Sequence, residues 1–188
     1  MKIAGIDFSI NYPAITINDN NNFHFYCFAE KLHKKNLFVD GYIIKKLERS
    51  GDNIIDASLV AKNIVKILQN HNINVVNLEG YAFSSISKSL IQIGEATGIL
   101  KLFLIQAGIK INIFPPVEIK KKAGKGNFKK YDMFQSFLNQ DNLKDNLFWQ
   151  NCKKYENELY TYNKEKTMIK GVKKPVEDIV DSYFSSII

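Results

Sequence analysis

A mixed α/β sheet with helices on its faces is the fold class this sequence predicts, on three observations. The chain opens with three short apolar runs separated by turn-forming residues. Amphipathic segments of helical period then alternate with short apolar runs of strand length. The 188 residues are 45% hydrophobic with 13 Phe and 9 Tyr, enough for the full core of one domain and incompatible with a disordered chain.

The elements follow in order. Residues 3–8, 14–17 and 23–28 read as a β-meander, with Asn11-Tyr12-Pro13 and the cluster from Asp19 to Asn22 as turns. Residues 31–53 are lysine-rich and have no assignable period. From Asp56, the residues Leu59, Val60, Ile64, Val65, Ile67 and Leu68 fall at helical spacing, behind the break Gly51-Asp52-Asn53. Residues 75–78 form a short buried strand ending in Glu79, whose place after a helix predicts parallel pairing. A second helix spans 87–106, and a strand over 111–114 is closed by Pro115-Pro116. Helices over 117–122 and 128–138 flank the turn Ala123-Gly124-Lys125-Gly126-Asn127. Residues 139–174 are polar and aromatic without a clear period, and read as an insertion within a single domain covering 1–188. Pro175 is placed as the first residue of a final helix.

Composition excludes several classes. Cys27 and Cys152 are far apart, with no CxxC and no histidine at ligand spacing, against a zinc site or a disulfide scaffold. His24, His33 and His71 show no ligand spacing either. The longest apolar stretch, 99–109, is interrupted by Lys101 and Gln106 and is too short to span a bilayer. No signal peptide precedes Asp7. The expectation is a soluble, cytoplasmic protein without a membrane partner or an organic cofactor.

Four acids stand out by position. Asp7 lies in the first apolar strand, in Gly5-Ile6-Asp7-Phe8-Ser9, and Glu79 ends the short buried strand. Asp178 and Asp181 are three apart on the final helix, which puts them on one face. A carboxylate in an apolar strand is costly unless paired, hydrogen-bonded or bound to a cation. Several brought together repel unless a divalent ion neutralises them, and hard oxygen donors suit Mg²⁺ or Mn²⁺. Two such ions activate water and stabilise the leaving oxygen of a phosphodiester. Taken singly, each acid has an ordinary explanation: a turn cap or lysine partner, a polar strand end, a solvated helix face.

In order and context these residues resemble the RuvC-type Holliday junction resolvases of the RNase H-like superfamily, found in bacteria, phages and large DNA viruses. Gly5-Ile6-Asp7-Phe8-Ser9 is similar to the family's first catalytic strand. Leu78-Glu79 through Ile93-Gly94-Glu95-Ala96-Thr97-Gly98 is similar to its second acid and following helix. Asp178-Ile179-Val180-Asp181-Ser182 is similar to its closing helix, and Pro115-Pro116-Val117 with the lysine-rich turn to its basic segment. The resemblance covers about three quarters of the chain and points to a phage or large-DNA-virus member. It implies a Mg²⁺-dependent endonuclease, with Mn²⁺ as a substitute, that resolves four-way or branched DNA as a homodimer by paired nicks. Asp7, Glu79, Asp178 and Asp181 would be the catalytic metal ligands. Lys120 or Lys130 would lie near the scissile phosphate, and Tyr81 or Phe83 would wedge into the junction.

The net charge of +7 is concentrated rather than spread. Residues 118–130 hold six lysines against Glu118, and residues 31–50 carry +4, so the rest of the chain is slightly acidic. Of the 26 basic residues only Arg49 is arginine, and lysine binds phosphate as a point charge without reading bases. Lys120, Lys121, Lys122, Lys125, Lys129 and Lys130 are the expected DNA contacts. Gly94 and Gly98 each cost about 1 kcal/mol in a helix interior. Either they pack on the protein's own sheet or they meet a second helix across a dimer axis. Rival readings are another RNase H-like nuclease acting on RNA–DNA hybrids or flaps, and a catalytically silent DNA-binding module. An actin-like or sugar-kinase ATPase would need paired glycine-rich phosphate loops, which are not present.

Overall fold

The three opening runs form strands β1 (Lys2–Asp7), β2 (Ala14–Asp19) and β3 (Asn22–Ala29), paired antiparallel in sequence order. They belong to a computed structural model that describes residues 2–9, 11–29, 41–47, 49–80, 88–165 and 167–188, with residues 88 and 89 as backbone alone. Tyr81 and Phe83 lie outside the described residues, as does most of the basic segment before residue 41.

Strand β4 (Tyr42–Lys46) joins parallel to β3 at one edge. It lies in the stretch without an assignable period because an edge strand with three of its five residues exposed carries no clean alternation. Helix α1 (Asn53–Asn70) leads to β5 (Val75–Glu79), α2 (Lys88–Gln106) to β6 (Lys110–Phe114), and both strands pair parallel. The sheet order is β4-β3-β2-β1-β5-β6, the mixed arrangement the sequence predicts. Helix α1 starts three residues earlier than Asp56, because Asp52 caps it by accepting from the amides of Ile54 and Ile55 at 2.8 and 3.1 Å. Asp56 itself is buried. It accepts from the amide and hydroxyl of Ser50 at 2.6 and 2.8 Å, and these bonds and Arg49 hold its carboxyl below the usual range despite burial.

Both faces of the sheet are covered, so side-chain alternation divides each strand between two cores. Ala4, Ile6, Ile15, Ile17, Tyr26 and Phe28 pack with α1 and α2. Ala14, Phe23, Phe25 and Cys27 face the other way, onto α3 (Pro116–Ala123), α4 (Lys130–Leu138), α5 (Leu147–Lys154) and α7 (Val176–Ser186). Between α5 and α7 come the single turn α6 (Glu156–Leu159) and the antiparallel pair β7 (Tyr160–Tyr162) and β8 (Ile169–Val172). The stretch read as an insertion thus covers one face of the sheet. It buries Leu143, Phe148, Trp149, Cys152, Leu159, Tyr160 and Val172, and the Trp149 indole donates to the Phe137 carbonyl at 2.9 Å. Its elements are at most eight residues long, too short to show a period.

Two expectations change. Pro175 is the residue before α7 rather than its first. Of the two readings of Gly94 and Gly98, packing on the sheet is not what is found: among the described residues a Cβ on either meets nothing within 4 Å. With Ile91, Leu102 and Ile105, which are 57, 54 and 66% exposed, they form one small and apolar stripe along α2. Among the described residues no helix is long and apolar enough to cross a membrane.

Candidate active site

On β1, Ala4 and Ile6 point into the α1/α2 core, which leaves Gly5 and Asp7 on the face covered by α7. On β5, Val76 and Leu78 do the same and leave Asn77 and Glu79 on the α7 face. The strands are parallel neighbours with Ile6 opposite Leu78, so Asp7 and Glu79 end up side by side at their carboxyl ends.

Helix α7 lies on this strip at very short range. A Cβ on Gly5 would fall 2.0 Å from the Ser182 carbonyl oxygen and 2.4 Å from the Ser186 nitrogen, so glycine is what admits the helix. The surrounding contacts are polar. The hydroxyls of Thr16 and Ser182 share a 2.7 Å hydrogen bond, and Asn77 Nδ2 donates to the Ser185 carbonyl at 2.9 Å. Asn112 Nδ2 donates to Asn77 Oδ1 at 3.0 Å and fixes that amide. The Ser185 carbonyl belongs to the last turn of α7, where backbone acceptors have no helical donor. Asn77→Ala is therefore expected to cost about 1–3 kcal/mol, measured by urea unfolding. An unchanged midpoint would show that this bond does not hold the helix.

Docked in this way, α7 presents Asp178 and Asp181 to the strand ends. Carboxylate oxygens of Asp7, Glu79 and Asp181 all lie within 4.8 Å of one another. They line a cavity of about 340 Å³ together with Phe8, Ser9, Thr97, Lys130, Lys174, Glu177 and Asp178. At such range each pair of carboxylates repels by on the order of 3 kcal/mol at an effective dielectric of about 20. Three such pairs rival the whole net stability of a domain, so internal cations or bound protons must relieve them. Lys130, from the start of α4, bonds Asp181 and lies 3.6 Å from Glu177. Lys174 donates to Asp178 Oδ1 at 2.6 Å and lies 3.9 Å from Glu177.

These two lysines do not balance the five acids. Burial, reinforced by Asp181, Asp178 and Glu79, pushes Asp7 well above the usual carboxylate range. Burial and Asp181 push Glu79 up to about 7, against the opposing charges of Lys130 and Lys120. Burial pushes Asp178 up to about 6 although Lys174 pulls it down. Burial alone would lower the Lys130 ammonium, but Asp181 and Glu177 raise it. All three shifted carboxylic acids bind protons more tightly folded than unfolded. Their contribution to stability is therefore greatest below the unfolded values and is lost as pH rises through about 7. The metal-free chain is expected to melt at a higher temperature at about pH 6 than at about pH 8, and Glu79→Gln to flatten the difference. Differential scanning calorimetry in chelator measures this, and a melting point that rises toward pH 8 would contradict it.

The sequence-predicted acids are thus brought to one place, with a distinction within the set. Asp7, Glu79 and Asp181 form a group, while Asp178 lines the same cavity with Lys174 on one oxygen. Lys130, its side chain 41% exposed, is held by Asp181 and Glu177 at the rim of the site. Lys120 is half-buried and near enough to act on Glu79, whereas Lys121, Lys122, Lys125 and Lys129 are exposed on α3 and the following turn. Lys174, Glu177, Gly5 and Asn77 were not among the sequence candidates. Lys174 stands four residues before Asp178, in the turn that enters α7. The donor set consists of oxygens, with five acids against two lysines and a buried Asp178 Oδ2 that has no hydrogen-bond partner among the described residues. That chemistry fits a hard divalent cation.

Fold and site define the chain as an α/β protein with an acidic centre at the carboxyl ends of two parallel strands, under a docked helix. Comparison with solved structures specifies the architecture. The chain is similar to RuvC of Thermus thermophilus, with TM-score 0.52, 16% identity, and coverage of 84% of this chain and 96% of that one. It is similar to the Fowlpox virus resolvase solved with substrate Holliday junction DNA, with TM-score 0.51, 15% identity, and coverage of 100 and 95%. It is also similar to the yeast mitochondrial Holliday junction resolvase, with TM-score 0.50, 12% identity, and coverage of 98 and 75%. No protein-family model and no curated protein matches the sequence. At these identities the likeness is one of fold: the chain has the RNase H-like fold of the Holliday junction resolvases.

Proposed function

We propose that the protein is a divalent-metal-dependent endonuclease that resolves four-way or branched DNA junctions by phosphodiester hydrolysis. The convergence of Asp7, Glu79 and Asp181 carries this reading. Those three carboxylates would hold Mg²⁺ or Mn²⁺, with Asp178 beside them as a ligand for a second ion. A divalent cation held there would supply Lewis-acid polarisation of the phosphodiester and activation of water. The chain does the rest. Gly5 and Asn77 fix α7 so that its acids meet the strand ends. Lys130 and half-buried Lys120 hold positive charge at the rim, where a phosphate oxygen would sit. Lys121, Lys122, Lys125 and Lys129 attract the sugar–phosphate backbone beyond it, which makes binding salt-sensitive and indifferent to base identity.

The exposed apolar residues Ile91, Leu102 and Ile105, with Gly98 between them on α2, support a homodimer through this helix, since a small residue allows two helix backbones to approach. Two sites in one dimer would make the paired nicks that resolution needs.

Purified protein incubated with a four-way junction, a matched linear duplex and an RNA–DNA hybrid, with and without Mg²⁺, tests this. Paired nicks in the junction that vanish with chelator are expected. Equal cutting of the hybrid would transfer the site to hybrid substrates, and tight junction binding without cutting would leave a binding module.

A further inference from the structure

We propose that Lys174 is an internal cation that occupies the Asp178 side of the cavity, so that a divalent ion binds there only in competition with the Lys174 ammonium. This rests on the metal-site reading above and concerns what decides how many ions the site takes. Asp178 is 2% exposed, yet its two oxygens are treated very differently. Oδ1 accepts from Lys174 Nζ at 2.6 Å, while Oδ2 is buried without a hydrogen-bond partner among the described residues. A buried anionic oxygen lacking a donor is rare, and here it belongs to a residue that lines the cavity. The carboxylate is therefore half committed to the lysine and half available to a cation.

Geometry makes the competition local. Lys174 is four residues before Asp178, so its reach to that carboxylate is set by the turn entering α7 and not by a distant element. Two cations on one carboxylate repel, and a ligand that binds one of two competing states is weakened by the population of the other. The Lys174 side chain is 44% exposed, so it can leave for solvent without unfolding its surroundings. Lys130, with a side chain 41% exposed, also touches Glu177 but stands on the other acid group: it is carried by α4 and bonds Asp181 rather than Asp178. The first ion, at Asp7, Glu79 and Asp181, does not have to displace Lys174. The second does.

Mn²⁺ binding to the full chain, followed by electron paramagnetic resonance of the free ion, tests this in wild type, Lys174→Met, Lys174→Arg and Lys174→Met/Asp178→Asn. Wild type is expected to bind one ion tightly and a second weakly. Lys174→Met is expected to tighten the second by about tenfold or more, Lys174→Arg to leave it weak, and the double variant to lose it. Circular dichroism melts confirm that each variant is folded, and Lys174→Gln removes the same charge should the methionine variant not fold. An unchanged second affinity in both neutral variants, or equal tightening in Lys174→Arg, overturns the proposal while leaving the metal site intact. Absence of any Mn²⁺ binding in wild type and variants overturns the metal reading itself, and the Lys174 proposal with it.

Discussion

Asp7→Asn is expected to abolish strand cleavage in a four-way junction while raising the melting temperature of the metal-free chain. The substitution keeps the size of the side chain and removes one of three carboxylates whose oxygens lie within 4.8 Å of one another. Partners one shell beyond a metal cost roughly 10–100-fold when removed, so loss of a direct ligand should exceed about a hundredfold. The stability effect has the opposite sign. Burial and three neighbouring acids hold the Asp7 carboxyl well above its usual range, so its ionised form is a burden on the folded state at neutral pH. Cleavage of an end-labelled junction and a thermal melt in chelator read the two effects separately. Retained cleavage would remove Asp7 from the site. Lost cleavage with a lower melting point would make it a structural partner of Lys130 instead.

Gly5→Ala should be strongly damaging to the fold. The added methyl group would meet backbone atoms of Ser182, Ser185 and Ser186 at 2.0–2.9 Å, and backbone cannot rotate away as a side-chain end can. Overpacking of this kind costs about 3 kcal/mol or more, a large share of a net stability of about 5–15 kcal/mol. Urea denaturation should show the loss, and junction cleavage should fall with the folded fraction. A midpoint like that of the wild type would mean that α7 does not lie against β1.

Much of the frame is legible in the sequence because strands buried on both faces read as apolar runs and long helices keep their period. Asp7 and Glu79 are legible for a related reason, since a carboxylate at the end of such a run needs a partner. Gly5 is a glycine inside a strand, a recognised sign of close backbone approach, but the helix that approaches it begins 171 residues later. Asn77 is a polar residue in a buried strand whose acceptor on Ser185 only tertiary structure supplies. Asp178 and Asp181 look equivalent in a three-residue spacing, and their different neighbours, Lys174 and Lys130, arrive from the turn before α7 and from α4. The elements of residues 139–172 stay hidden because each buries too few positions to set a pattern.

The distance along the chain between Gly5 and its helix has a consequence for when the acidic centre is complete. Half of the acidic centre is made with β1 and β5, and the other half only with α7, so contacts between the two halves are among the most non-local in the molecule. Chains are built from the amino terminus and fold as they emerge. A nascent chain, or a fragment cut anywhere between Glu79 and Asp178, carries the lysine-rich surface at most and never the complete acid group. Under the proposed function such species would lack the full metal-binding group, which is complete only when α7 seats on Gly5.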